Sequence, residues 1–160
     1  MKQYVAEMAD MAISSEPDSQ LVTSSLGSAI GVAIYDPEKK VGGILHFMLP
    51  DSTLNSSQAG DRPCMFADTG IPKLFKAAYQ LGLEKSRARV VVVGGAEVMG
   101  PDDTLKVGKR NYAALRKIFW KNNILIAAED VGGTTSRSLY LDVGTGKIWI
   151  KNSMKAEKSL

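Results

Sequence analysis

Two apolar runs joined by turn chemistry constrain this chain most. Ala29 to Tyr35 is apolar and carries β-branched residues, Asp36-Pro37-Glu38-Lys39 is turn sequence, and Lys40 to Leu49 is apolar again. Such runs around such a turn predict a β-hairpin. With the loop at Asp36–Lys39, Tyr35 faces Lys40, Ile34 faces Val41 and Ala29 faces His46. Directly opposed residues share a face, with Cβ atoms roughly 4.5–5.5 Å apart. A loop one residue longer would turn His46 to the other face.

The rest of the chain supplies both strand and helix signals. Residues 3–13 suit a helix almost as well as a strand, and Ser14–Ser19, with Pro17 and Asp18 inside, is a turn. Leu21–Leu26 is a short strand stopping at Gly27-Ser28. Residues 51–65 are polar and predict a long loop. Asp68 or Thr69 can cap a helix with Pro72 in its first turn, an apolar stripe of Ile71, Leu74, Phe75, Ala78 and Leu81, and a stop at Gly82. Arg89–Val93 is a buried strand ending in Gly94-Gly95. A second amphipathic helix covers about Lys109–Lys121, with Tyr112, Leu115 and Phe119 inward. Ile124–Ala128 is a strand, and Ser138–Val143 with Lys147–Lys151 forms a closing hairpin. This pattern predicts an α+β or layered α/β domain with a mixed sheet, spanning residues 1–160 as one unit.

Composition excludes several function classes. Twenty basic and 17 acidic residues are scattered along 160, giving a net charge of +3 with no basic block. A nucleic-acid partner is therefore not expected. The first ten residues carry Glu7 and Asp10 within no unbroken apolar core, and no run of 18 apolar residues occurs, so neither a signal peptide nor membrane insertion is expected. One cysteine, Cys64, permits no internal disulfide and fits a reducing, cytoplasmic compartment.

Candidate chemistry is sparse. His46 is the only histidine; it is either a satisfied structural residue or a general base facing the neighbouring strand. One histidine and one cysteine cannot build a zinc site. Gly27-Ser28 is either a bend between strands or a tight turn whose backbone N–H groups form an oxyanion hole beside position 29. Ala29 itself can do no chemistry. Val91–Gly100 resembles a glycine-rich phosphate loop without its Lys-Ser/Thr. Arg137, after Gly132-Gly133, either binds a carboxylate or lies in solvent, the ordinary reading for such a residue. Cys64 is either a reactive thiol or a small apolar filler.

Taken in order, these segments resemble the chemoreceptor glutamine deamidases of the CheD family. The family pattern Thr-x3-Gly-Ser-Cys, followed by His in a His-x-Met-Leu-Pro context, stands here as Thr23-Ser-Ser-Leu-Gly27-Ser28-Ala29 and His46-Phe-Met48-Leu49-Pro50. Further matches are Phe66-Ala67-Asp68, Gly94-Gly95-Ala96, Gly108-Lys-Arg110-Asn111, Ala128-Glu129-Asp130-Val-Gly132-Gly133, Arg137 and Thr145-Gly146-Lys147.

The resemblance implies a single-domain three-layer α/β fold with mixed β-sheets flanked by helices. It also implies a Cys-His-Thr triad at positions 29, 46 and 23, support from Gly27 and Ser28, and no cofactor. The implied partners are cytoplasmic helices of methyl-accepting chemotaxis receptors, whose Gln side chains become Glu, and the phosphatase CheC. Alanine at position 29 removes the nucleophile, a loss that can cost on the order of 10⁶ in turnover. A Cys→Ala change made to silence the enzyme and a natural pseudoenzyme both produce this pattern; the intact surroundings favour the former. A non-catalytic adaptor binding receptors and CheC is the alternative function.

Overall fold

In a computed structural model, the described residues are 1–97, 105–154 and 156–160, the side chain of Leu54 excepted. The Val98–Gly100 end of the glycine-rich stretch lies outside them. Among the described residues ten strands form two five-stranded sheets. The central sheet has the order β2 (Asp10–Ser14), β5 (Val41–Phe47), β4 (Ile30–Asp36), β6 (Arg89–Gly94), β7 (Ala128–Val131). The outer sheet has the order β1 (Lys2–Val5), β3 (Ser19–Leu26), β8 (Arg137–Asp142), β9 (Ile148–Asn152), β10 (Glu157–Ser159). Both sheets are mixed, with parallel β1–β3 and β6–β7 pairs. The fold is the α+β class expected.

Strand alternation sorts the core into two clusters. Ile30, Val32 and Ile34 of β4, Leu45 and Phe47 of β5, and Val90 and Val92 of β6 face helices α2 (Ala67–Gln80) and α3 (Val107–Lys121). Ala33 and Tyr35, Ile44, and Val91 and Val93 face Leu21, Leu26, Leu139 and Leu141 of the outer sheet. The central sheet is thus covered on both sides, and the layers run outer sheet, central sheet, helices.

Several elements differ from the sequence reading. The stretch 3–13, open in sequence between helix and strand, contributes to β1 and β2, because Tyr4 and Val5 pair with Leu21 and Val22 while Ala12 and Ile13 pair with Ile44 and Gly43. The stretch 51–65 contains a short helix α1 (Ser56–Asp61) between two 3-10 turns, started by Asp51 and Asn55 side chains that accept from Thr53 and Gln58 N–H. Asp68 does not cap α2; it accepts from the N–H and hydroxyl of Ser52 instead. Pro72 sits in the second turn of α2, and Leu81 of the expected stripe is exposed. The strand expected at Ile124–Ala128 begins only at Ala128, since Ile124 and Ile126 turn into the helix-side core before pairing starts.

The hairpin register also differs. Asp36 pairs with Val41 and Gly31 with His46, so the loop is Pro37–Lys40. The carboxylate of Asp36 explains this. It remains in the strand, fully buried, and accepts from the N–H groups of Glu38, Lys39 and Glu84 and from Arg87 at 2.7 Å. Burial works against its charge, yet the Arg87 bond and the three backbone donors outweigh it and hold its carboxyl well below the usual carboxylate range. Every pair slips by two residues, an even step that keeps each side chain on its expected face. Removing one partner of a buried pair leaves the other charge uncompensated, so Asp36→Ala is expected to destabilise the fold by about 3 kcal/mol, measured by urea unfolding; a loss below about 1 kcal/mol would show that the loop does not depend on it.

Candidate active site

The site is built where β3, β4 and β5 meet between the two sheets. His46 lies on the inter-sheet face of β5, flanked by Gly31 on β4 and Asp10 on β2. Ala29 immediately precedes β4 and packs in the same inter-sheet cluster. The observed register places it diagonally from His46, not directly opposite. Diagonal neighbours on one face remain within reach of longer side chains. Thr23 reaches the same space from the outer sheet. Thr23, His46 and Ala29 are 0%, 1% and 6% exposed.

Hydrogen bonding fixes the protonation of His46. The Thr23 hydroxyl donates to the carbonyl of Ala6 at 2.7 Å, and a carbonyl can only accept. Its one proton is thereby used, so at 2.8 Å from His46 Nδ1 it accepts the ring N–H. The lone pair therefore sits on Nε2, which is buried without a partner among the described residues. Burial lowers the imidazole pKa to about 4, and the ring is neutral at pH 7. A neutral, oriented imidazole with a bare Nε2 can take a proton from a neighbouring nucleophile. Thr23 and His46 are thus brought together, with position 29 beside them.

The residues around position 29 are held by their carbonyls. Gly95 N–H donates to Ala29 O at 3.0 Å, and Ala96 N–H to Gly27 O at 2.8 Å. Gly94 must be glycine for this approach: its φ is +114°, and a Cβ there would lie 2.2 Å from Ala29 O. The described part of the glycine-rich stretch therefore docks backbone on backbone. The N–H of Gly27, expected as an oxyanion donor, instead donates to Ser25 O at 3.1 Å. Ser28 is half-buried, and Ser24 and Ser25 before it in the chain are exposed.

Other sequence candidates lie elsewhere or act differently. Arg137 is not solvated: its side chain is 8% exposed, with Nε donating to Asp130 at 2.8 Å and a terminal nitrogen to Gly94 O at 3.3 Å. Cys64 belongs to the helix-side cluster, across the central sheet from His46, and burial raises its thiol pKa. Asn111, seen in the sequence only as part of a family match, reaches the site from α3. Its side-chain amide donates to Ser28 O at 2.9 Å and Met48 O at 3.0 Å. Nothing in local sequence signals such a contact, because it joins residues far apart in the chain.

Comparison with known proteins agrees with this architecture. A family model described as CheD chemotactic sensory transduction matches residues 48–152. A probable chemoreceptor glutamine deamidase CheD of Solibacter usitatus is 45% identical over 158 residues, covering 99% of this chain and 94% of that protein. A protein of the same description from Syntrophus aciditrophicus, numbered CheD 1, is 47% identical, covering 96% of each chain. Among the described residues no helix is long and apolar enough to cross a membrane.

His46 gives the site a pH signature. The unfolded ring protonates near its ordinary 6.5, the folded ring only near about 4. The stabilising effect of keeping it neutral is complete above the unfolded value and is lost as pH falls toward the folded one. The loss across that window is on the order of 3 kcal/mol. Urea unfolding at pH 7 and pH 4 should show the parent chain losing about that much more stability than a His46→Gln variant; equal losses would place the ring in a more solvated setting. The order of segments, the layered fold and the relatives together establish that the chain belongs to the CheD family.

Proposed function

We propose that this chain carries the machinery of a chemoreceptor glutamine deamidase in which position 29 lacks the nucleophilic thiol. The observation that carries the reading is the Thr23–His46 pair, with Nε2 buried and unpaired among the described residues on the face shared with Ala29. The relatives named as chemoreceptor glutamine deamidases supply the substrate class.

With a thiol at position 29 the chemistry closes. His46 Nε2 takes the thiol proton, and the thiolate attacks the Gln side-chain carbonyl while backbone N–H groups hold the tetrahedral oxygen. The C–N bond breaks, and the departing ammonia takes its proton from His46. Water, deprotonated by His46, then hydrolyses the thioester to Glu and regenerates the thiol. Thr23 keeps the Nδ1–H tautomer and aims the ring throughout, the role of the third member of a triad. With Ala29 the first bond cannot form, so the chain binds receptor without turnover. That consequence also favours the second reading, an adaptor that docks on receptors and on CheC.

Incubated with purified receptor cytoplasmic fragments, the chain should leave their glutamines unchanged by mass spectrometry. Ala29→Cys should produce the Gln→Glu mass gain together with ammonia. On that background His46→Ala should lower the rate by roughly 10²–10⁴-fold, Thr23→Ala by less, and Cys64→Ala hardly at all. Deamidation by the unaltered chain, abolished by Cys64→Ala, would overturn the assignment.

A further inference from the structure

Three successive carbonyls at the site are pinned, and one pin is a side chain. Gly27 O and Ala29 O are held by the backbone of Ala96 and Gly95, while Ser28 O is held by the amide of Asn111. Among the described residues no acceptor faces the N–H of Ser28 or of Ala29. We infer that Asn111 is the positioning residue of the oxyanion site, holding the Ser28–Ala29 peptide so that the Ser28 and Ala29 N–H groups face the reacting carbonyl. This rests on reading position 29 as the nucleophile's place.

The geometry follows from the planarity of the peptide. In a trans peptide the C=O and the following N–H point in opposite directions. Asn111 belongs to α3, whose Leu115 and Phe119 pack on the helix side of the central sheet. Ser28 O therefore points toward the helix layer, and the Ala29 N–H points away from it. That is the side on which the Ala29 side chain and His46 lie. The Gly27–Ser28 peptide is held likewise through Gly27 O, which turns the Ser28 N–H away from Ala96. The second Asn111 bond, to Met48 O, ties the end of β5 two residues beyond His46 to the same point. One amide thus sets both the donor direction and the separation between residue 28 and the His46 strand.

Asn111 is fully buried, and its Oδ1 has no partner among the described residues. A buried carbonyl oxygen left unpaired costs about 1–3 kcal/mol. An apolar residue would spare that oxygen but would take the donor from Ser28 O and Met48 O and could not orient the peptide.

The test compares two reactions of the thiol introduced by Ala29→Cys. Acylation by p-nitrophenyl acetate forms an S–C bond and expels nitrophenolate through a tetrahedral oxyanion, the thiol proton passing to His46. Alkylation by iodoacetamide forms an S–C bond and expels iodide with no oxyanion. On this background Asn111→Asp and Asn111→Ser should each slow acylation by about 10- to 100-fold. Alkylation at residue 29, located by peptide mass spectrometry, should stay within about threefold, since no donor acts in that step. If the aspartate variant fails to fold by circular dichroism, the smaller serine variant decides. Equal slowing of both reactions, slowing of neither, or alkylation without any acylation in the Ala29→Cys parent would overturn the proposal. Neither probe is a receptor, so this result is independent of whether the receptor fragments are deamidated.

Discussion

Covering the central sheet on both faces is the constraint from which the rest of this structure follows. Once helices take one face and the outer sheet takes the other, each residue of β4 and β5 is assigned to a side by parity alone. Leu45 and Phe47 go to the helices, and His46, between them, goes to the inter-sheet space. There the ring is buried, and burial makes its charged form costly. The neutral state that a general base requires is therefore a property of the layering. No neighbouring charge is needed to produce it. The same parity sends Cys64's cluster and His46 to opposite sides, which is why the one cysteine in the chain is distant from its one candidate base.

The sequence reveals the hairpin and its faces because both depend on composition and period, which are local. It does not reveal the register, because the turn is closed by Asp36 contacting Glu84 and Arg87 from a distant segment. The resulting slip of two residues moved Ala29 from a direct to a diagonal position while leaving its face unchanged. Arg137 illustrates the same limit. An arginine after two glycines reads as solvent-exposed, and only the parallel pairing of β7 beside β6 brings Asp130 and Gly94 to it. The resemblance identified Thr23 and His46 through an ordered motif. The Thr23 hydroxyl's second bond, to Ala6, comes from a segment whose sequence could not decide between helix and strand.

Glycine at position 94 connects the fold to the site. A strand that ended in any other residue could not bring its backbone against Ala29 O. The positive φ turns the chain at the end of β6, so that Gly95 and Ala96 present their N–H groups to residues 29 and 27. Arg137 and Gly132 both donate to Gly94 O and hold the turn from the far side. The described part of a motif that looks like a phosphate cradle in sequence instead donates from Gly95, Ala96 and Glu97 to carbonyls of its own chain.

These bonds share one property: none involves the side chain of residue 29. Thr23 holds His46 through Nδ1, Asn111 holds Ser28 and Met48, and Gly95 holds the Ala29 carbonyl. On the proposed reading, a cysteine at this position would add one sulfur atom on the face shared with His46, and its absence breaks none of these contacts. Substitutions that leave the surrounding bonds intact change stability little, here by about 1 kcal/mol or less. Under the function proposed above, binding and chemistry separate at a single atom. On the proposed reading, the groups that would receive a glutamine carbonyl stay in place while the group that would attack it is missing, which suits the site to holding a substrate without converting it.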